Sequence, residues 1–155
     1  MDGSSSLTRS GRVIVIGTHA RILLLGERHP SGGTVWITPG GGADEDEDVA
    51  TAACRELSEE VGLRIAPAEL GEPLAIQTRA GPDPVRDTFY AVRTPPFEPD
   101  LSGLTPFERD VIVGHRWSRI SELDSCPHRV LPGNLSELVA LALERDTVTV
   151  DPART

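Results

Sequence analysis

The chain contains no lysine, and all fifteen of its basic residues are arginine. We attribute this to codon usage, and it excludes any mechanism that needs a lysine amine. Asparagine occurs once, as Asn134. The two cysteines, Cys54 and Cys126, show no CxxC or metal-type spacing and read as reduced thiols, with Cys54 packing as a small apolar residue. The first dozen residues, MDGSSSLTRSGR, hold no apolar run of the signal-peptide kind. No stretch approaches the roughly eighteen apolar residues that a membrane span requires. A soluble, cytoplasmic protein is the expectation. Bases are also outnumbered, 15 against 24 acids, for a formal net charge of −9. A surface of that sign repels nucleic-acid polymers and anionic membranes, so neither is an expected partner. It still accepts a small anionic molecule if divalent cations lie between the two.

What is present suits one domain: 155 residues, 38% of them hydrophobic, enough for a core without disulfides or structural metal. We expect a flexible tail over 1–12, a single domain over 13–146 and a second tail over 147–155. Val13–Gly17 and Ile22–Gly26 read as two strands around a turn, and Trp36–Thr38 as a strand end entering the glycine loop Pro39-Gly40-Gly41-Gly42. Glu72–Thr78 and Asp87–Arg93 form a further strand pair around the turn at Gly81–Pro84. Pro95–Thr105 reads as a surface loop, Val111–Trp117 as a strand and Ser118–Leu123 as a turn or short helix. Two long helices are predicted, at Asp46–Val61 and Asn134–Arg145, the second with Asn134 as cap and Glu137 completing a capping box. Mixed strands flanked by two helices indicate an α/β/α sandwich.

The first helix carries the chemistry. On a wheel turning ~100° per residue, Val49, Ala53, Leu57, Ala50, Val61 and Cys54 form the buried stripe, and Glu60 falls between Val49 and Ala53. Glu56 and Glu59 lie close by, so three carboxylates crowd one turn and one of them sits on the apolar face. Such a group costs several kcal/mol unless it is protonated, paired with arginine or bound to a hard cation. Arg55 is the only base on this helix and cannot neutralise three glutamates. Oxygen-rich carboxylate sites favour magnesium or manganese over zinc. Upstream, consecutive glycines let the backbone approach a ligand closely. Asp44 and Glu47 could form a capping box, and Gly62 stands where a left-handed C-cap belongs.

The stretch Gly41-x5-Glu47-x7-Arg55-Glu56-Leu57-Ser58-Glu59-Glu60-Val61-Gly62-Leu63 resembles the complete box of the Nudix hydrolase family, GX5EX7REUXEEXGU with U aliphatic. It matches at every fixed position, and Trp36…Pro39-Gly40-Gly41 is similar to the lead-in of many members. The resemblance implies the Nudix α/β/α sandwich. It also implies hydrolysis of a diphosphate bond in a nucleoside-diphosphate-linked small molecule, with Mg2+ as cofactor and Mn2+ as a substitute. By position, it implies that Glu56, Glu59 and Glu60 bind metal together with the Gly40 carbonyl. Arg55 would then orient the glutamates, and Gly41 and Glu47 would support the loop–helix junction. The general base varies in the family. Glu108, before the strand ending in Arg116-Trp117, is our candidate outside the box, with Asp110 in reserve.

Subclass tags known in the family speak only by absence. Gln77 and Thr78 occupy the region where ADP-ribose hydrolases often carry proline, and Tyr90 lies too far along for the tyrosine of diadenosine-polyphosphate hydrolases. We lean to a MutT-like enzyme acting on a nucleoside triphosphate, the alternative being an ADP-ribose or nucleotide-sugar pyrophosphatase. Arg28, Arg79 and Arg86 are candidate phosphate contacts, and Trp36, Phe89 and Tyr90 candidate stacking partners for a base. Trp117 is assigned to the core, and the four histidines receive no role. A rival of another class, a non-catalytic nucleotide-sensing domain, would ordinarily have lost box glutamates that this chain keeps. An RNA-decapping enzyme would need a basic channel that this charge does not promise. Homodimers are common in the family, so a homodimer is a further expectation.

Overall fold

A computed structural model describes residues 7–125, 129–145 and 147–151. The sequence builds a single mixed sheet from eight strands: β1 (Thr8–Ile16), β2 (Ile22–Arg28), β3 (Thr34–Ile37), β4 (Gly40–Gly42), β5 (Ala75–Arg79), β6 (Val85–Arg93), β7 (Ile112–Ser118) and β8 (Arg129–Leu131). The main order is β5-β6-β1-β2-β3-β8, with β4 paired to β1 and β7 to β2. The β1–β6 and β3–β8 pairs are parallel and the rest antiparallel. Among the described residues four α-helices accompany the sheet: α1 (Val49–Val61), α2 (Pro106–Val111), α3 (Ile120–Ser125) and α4 (Leu135–Glu144).

The unbroken apolar run of Val13–Ile16 belongs to a strand covered on both faces, as continuous hydrophobic strands are. Val13, Val15, Leu23, Leu25, Tyr90 and Val92 pack against Ala53, Leu57 and Val61 of α1. Ile14, Ile16, Ile22, Leu24 and Phe89 pack against Leu135, Leu138, Val139 and Ala142 of α4. These two cores, one on each side of the sheet, make the expected α/β/α sandwich. Trp117 lies in the α1-side core, edge-on to Phe97 at 5.6 Å. Burial pushes the Cys54 thiol up to about 11, which keeps it protonated and inert. Cys126 and His128 lie outside the described residues.

Several boundaries differ from the sequence reading, each for a physical reason. Strand β1 begins at Thr8, because the polar residues Thr8–Arg12, expected in a tail, pair with β6 from Val85 onward. At the other end Thr149 bridges Arg93 and Val150 is fully buried, so the predicted C-terminal tail is docked over that stretch. The glycine loop is itself a strand: Gly40–Gly42 align with Ser10–Arg12. Helix α1 starts at Val49, capped by the Asp48 carboxylate, which accepts from the Thr51 amide at 2.8 Å. Asp44 and Glu47 instead close the turn before it, with the Glu47 carboxylate accepting from the Asp44 amide. Gly62 ends the helix in the left-handed conformation, φ 77°. Helix α2 lies between the expected Pro95–Thr105 loop and the expected strand from Val111, where no element was assigned, although Thr105 and Glu108 form the capping box that signals it. Strand β8 was missed because three residues carry no periodicity. Asn134 precedes α4 at the cap position, yet its side chain bonds none of the helix amides.

Candidate active site

The acid-rich face of α1 meets the glycine strand. Glu60 is 4% exposed within the apolar stripe, and one of its oxygens accepts from the Gly40 amide at 2.8 Å. Burial, with neighbouring Glu56 and Glu108 adding repulsion, pushes its carboxyl up to about 8, the Gly40 hydrogen bond and Arg12 opposing. Burial also raises Glu56, against the pull of Arg55. The loop must be glycine at two points. Gly40 has φ 143°, and a Cβ there would lie 2.3 Å from the Gly11 carbonyl. A Cβ on Gly41 would lie 2.6 Å from the Glu56 carboxyl carbon.

Arg55 organises the surroundings. It holds Glu47 in a bidentate pair, Nε to Oε2 and Nη2 to Oε1 both at 2.9 Å. It also donates to Glu56 Oε1 at 2.9 Å and to the Gly42 carbonyl at 3.1 Å. The arginine and the Asp44 amide pull the Glu47 carboxyl down to about 2. Arg9, which the sequence reading passed over, fastens the same turn by donating to the Glu47 carbonyl at 2.9 Å.

Helix α2 brings Glu108 to this face. One oxygen from each of Glu56, Glu60 and Glu108 lies within 4.8 Å of the others. Glu59 stands outside that group: its side chain is 39% exposed and 3.6 Å from Arg55. Asp110, the reserve candidate, is exposed and also apart. The Gly40 carbonyl, expected to face a metal, accepts from Arg12 Nη1 at 3.3 Å.

On the opposite face of the sheet lies a pocket of about 260 Å³. Ile37, Phe89, Leu131 and Pro132 give it apolar walls, and Arg12, Gln77, Arg79, Asp87 and Asn134 supply polar groups. Buried Asp87 is held by the Ser10 hydroxyl, by Arg79 Nε at 2.7 Å and by Arg12 Nε at 3.7 Å. Gln77 and Asn134 face each other and exchange two amide hydrogen bonds, at 3.2 and 2.6 Å. Of the expected substrate contacts, only Arg79 and Phe89 line this pocket. Arg28 and Arg86 are exposed elsewhere. Trp36 stacks under Arg116 at 4.4 Å, and Tyr90 faces the α1-side core. Sequence reasoning missed Arg12, Asp87 and Asn134 in this role. The available signal was parity: Ser10 and Arg12 share a strand face with Ile14 and Ile16 but interrupt its apolar character.

The fold is shared with solved structures of other proteins. The MutT protein of Methanosarcina mazei superposes with a TM-score of 0.70 at 15% identity, over 94% of this chain and 100% of that one. A MutT NUDIX hydrolase of Burkholderia pseudomallei gives 0.63 at 24% identity, over 92% and 99%. The NUDIX domain of Shewanella oneidensis NrtR, solved with ADP ribose, gives 0.67 at 18% identity, over 95% and 94%. An octanoyltransferase of Myxococcus xanthus is 37% identical over 82 residues, 52% of this chain but only 23% of that protein. The NUDIX domain family model matches residues 7–139. The chain belongs to that family.

Proposed function

We propose that Glu56, Glu60 and Glu108 hold a divalent cation, Mg2+ with Mn2+ as substitute, and that the enzyme hydrolyses a diphosphate bond in a small nucleotide. A nucleoside triphosphate is the preferred substrate class. The observation that carries this reading is the convergence of three carboxylates, one of them buried, within 4.8 Å. The donor set fits a hard cation: all ligands are oxygens, and Arg55 is already shared with Glu47 and has only one N–H on Glu56. The reading includes a cytoplasmic enzyme, alone or as a homodimer. No helix among the described residues is long and apolar enough to cross a membrane.

Bound there, the cation would neutralise phosphate charge and lower the pKa of a bound water. The rest falls to the protein. Arg55 fixes Glu56 and, through Glu47, the turn leading into α1. The Gly40 amide fixes one Glu60 oxygen and leaves the other for the ligand set. Glu108 comes from outside the box and has one oxygen engaged by the Thr105 amide at 2.9 Å. With Glu108 among the residues that would hold the ion, Glu59, outside the group, would be the carboxylate to accept the proton of the attacking water. The pocket takes the nucleoside: its volume is below the ~300–1,000 Å³ of drug-sized sites and suits one planar base. Phe89 and Leu131 would lie against the ring, the Gln77–Asn134 amides would face its edge, and Arg79 would lie towards phosphate.

Phosphate or pyrophosphate release from nucleoside triphosphates, ADP-ribose, nucleotide sugars and dinucleoside polyphosphates, with and without magnesium, tests the reading. Magnesium-dependent turnover of the triphosphates is expected. Turnover confined to ADP-ribose or nucleotide sugars would reassign the substrate, and silence across the panel would contradict the enzyme reading.

A further inference from the structure

Among the described residues, Arg12 is the one that belongs both to the pocket and to β1, the strand paired with the Gly40–Gly42 strand beside the acidic cluster. Its side chain lies on the α4 side of β1 and lines the pocket, while its backbone is in register with Gly40 across the β1–β4 pair. Its Nη1 donates to two carbonyls, Thr38 at 3.1 Å and Gly40 at 3.3 Å, the residues on either side of Pro39. The Gly40 amide in turn holds the Glu60 carboxylate. At its other edge, Arg12 Nε faces Asp87, a 5%-exposed carboxylate that also holds Arg79 at the pocket wall. A continuous path therefore runs from Arg79 and Asp87 through Arg12 and the Gly40 residue to Glu60.

We propose that Arg12 is a positioning residue that fixes the Gly40 residue, and through it Glu60, in the arrangement that receives the cation, with Asp87 as its anchor in the pocket wall. The inference rests on the metal-site reading above. Few side chains can substitute. The guanidinium spreads donors in a plane and so spans two carbonyls and a carboxylate at once, whereas a lysine ammonium reaches them as a single point. Gly40 cannot be stiffened by a side chain of its own, since a Cβ there would strike the Gly11 carbonyl, so its orientation depends on what its carbonyl and amide meet. Groups that orient a ligand from behind commonly change metal affinity by about 10–100-fold when removed.

The test is Mn2+ binding by titration calorimetry on the full chain, without nucleotide, for wild type, Arg12→Met, Arg12→Lys and Asp87→Asn, each with its melting temperature. Arg12→Met should weaken Mn2+ at least about tenfold, Arg12→Lys should recover part of that, and Asp87→Asn should weaken it by a smaller factor. In turnover the same variants should need correspondingly more magnesium for half-maximal rate. A residue that only supports the fold would lower the melting temperature and leave the affinity of the folded protein unchanged. Affinities within about twofold of wild type in the folded variants overturn the proposal. If Arg12→Met does not fold, Arg12→Lys and Asp87→Asn decide by the same criterion. Absence of Mn2+ binding by wild type would overturn the metal-site reading itself, and this inference with it.

Discussion

The two sides of the sheet are assembled in different ways. On the α1 side, Glu47, Arg55, Glu56, Glu59 and Glu60 all fall within fourteen consecutive residues, and one helix turn sets most of their mutual distances. On the α4 side, the pocket draws Arg12 from β1, Gln77 and Arg79 from β5, Asp87 from β6 and Asn134 from the start of α4. The first site is local and rigid in its spacing, so a linear pattern describes it. The second exists only after β1 pairs in parallel with β6 and the β8–α4 connection folds over the sheet. Chemistry common to a family can reside in the first, while the choice of substrate can vary in pocket residues outside the Arg12–Asp87 link, such as Gln77 and Asn134, without disturbing it.

Apart from the Arg12–Asp87 link, breaking one side should leave the other intact. The largest expected effect is from Glu56→Gln, which removes a carboxylate from the cluster but keeps its shape. The kcat should fall at least about a hundredfold for every nucleotide turned over, with their relative preference unchanged. Comparing kcat/KM across the nucleotide panel checks this, and a change confined to one nucleotide would mean that Glu56 acts in recognition.

A smaller and complementary effect is expected from Asn134→Asp. Aspartate is a good residue at a helix start, so α4 should persist, but a donor facing Gln77 and the pocket becomes an acceptor. The ranking of the four nucleobases should shift by about tenfold in kcat/KM, towards bases presenting two donors, while the magnesium requirement stays as in wild type. An unchanged ranking would remove the amide pair from base recognition.

A third effect concerns stability. The Glu60 carboxyl titrates near 8 in the folded protein against an ordinary 4.5, so without metal the folded state binds this proton more tightly than the unfolded chain does. Its contribution is fully present below about pH 4.5 and is lost as pH rises through about 8, at up to about 1.4 kcal/mol per pH unit. Glu47, held down to about 2, contributes oppositely and only at the acid end. The melting temperature of metal-free protein should therefore fall between about pH 5 and about pH 8, and Glu60→Gln should flatten that slope. A slope of the same size in the variant would assign it to other groups.

The sequence was legible where spacing alone decides geometry. Glu60 among Val49 and Ala53 marked a buried acid, Gly62 marked a helix end, and the runs at Val13 and Ile22 marked two strands around a turn. It was misleading where a residue type has two uses. Asn134 looked like a cap because asparagine caps helices, but its amide faces Gln77. Asp44 and Glu47 had the spacing of a capping box, yet Asp48 took the cap and Arg55 took Glu47. Three glycines read as a loop because no side chain announced that their backbone would pair with β1. Glu108 could be guessed from its place before β7, whereas its approach to Glu56 and Glu60 depends on how α2 packs, which no local pattern encodes. Parity set Arg12 apart on the face of Ile14 and Ile16, but its meeting with Asp87 was not legible, since it requires the parallel β1–β6 register.

The central claim, that the cluster is Glu56, Glu60 and Glu108 with Glu59 outside it, is tested most directly by a crystal structure grown with Mn2+ and phased for its anomalous signal. The expected result is an anomalous peak bonded to oxygens of all three glutamates, with Glu59 not in contact. A peak held by Glu56, Glu59 and Glu60 with Glu108 remote, or no peak on this face of α1, would contradict the account.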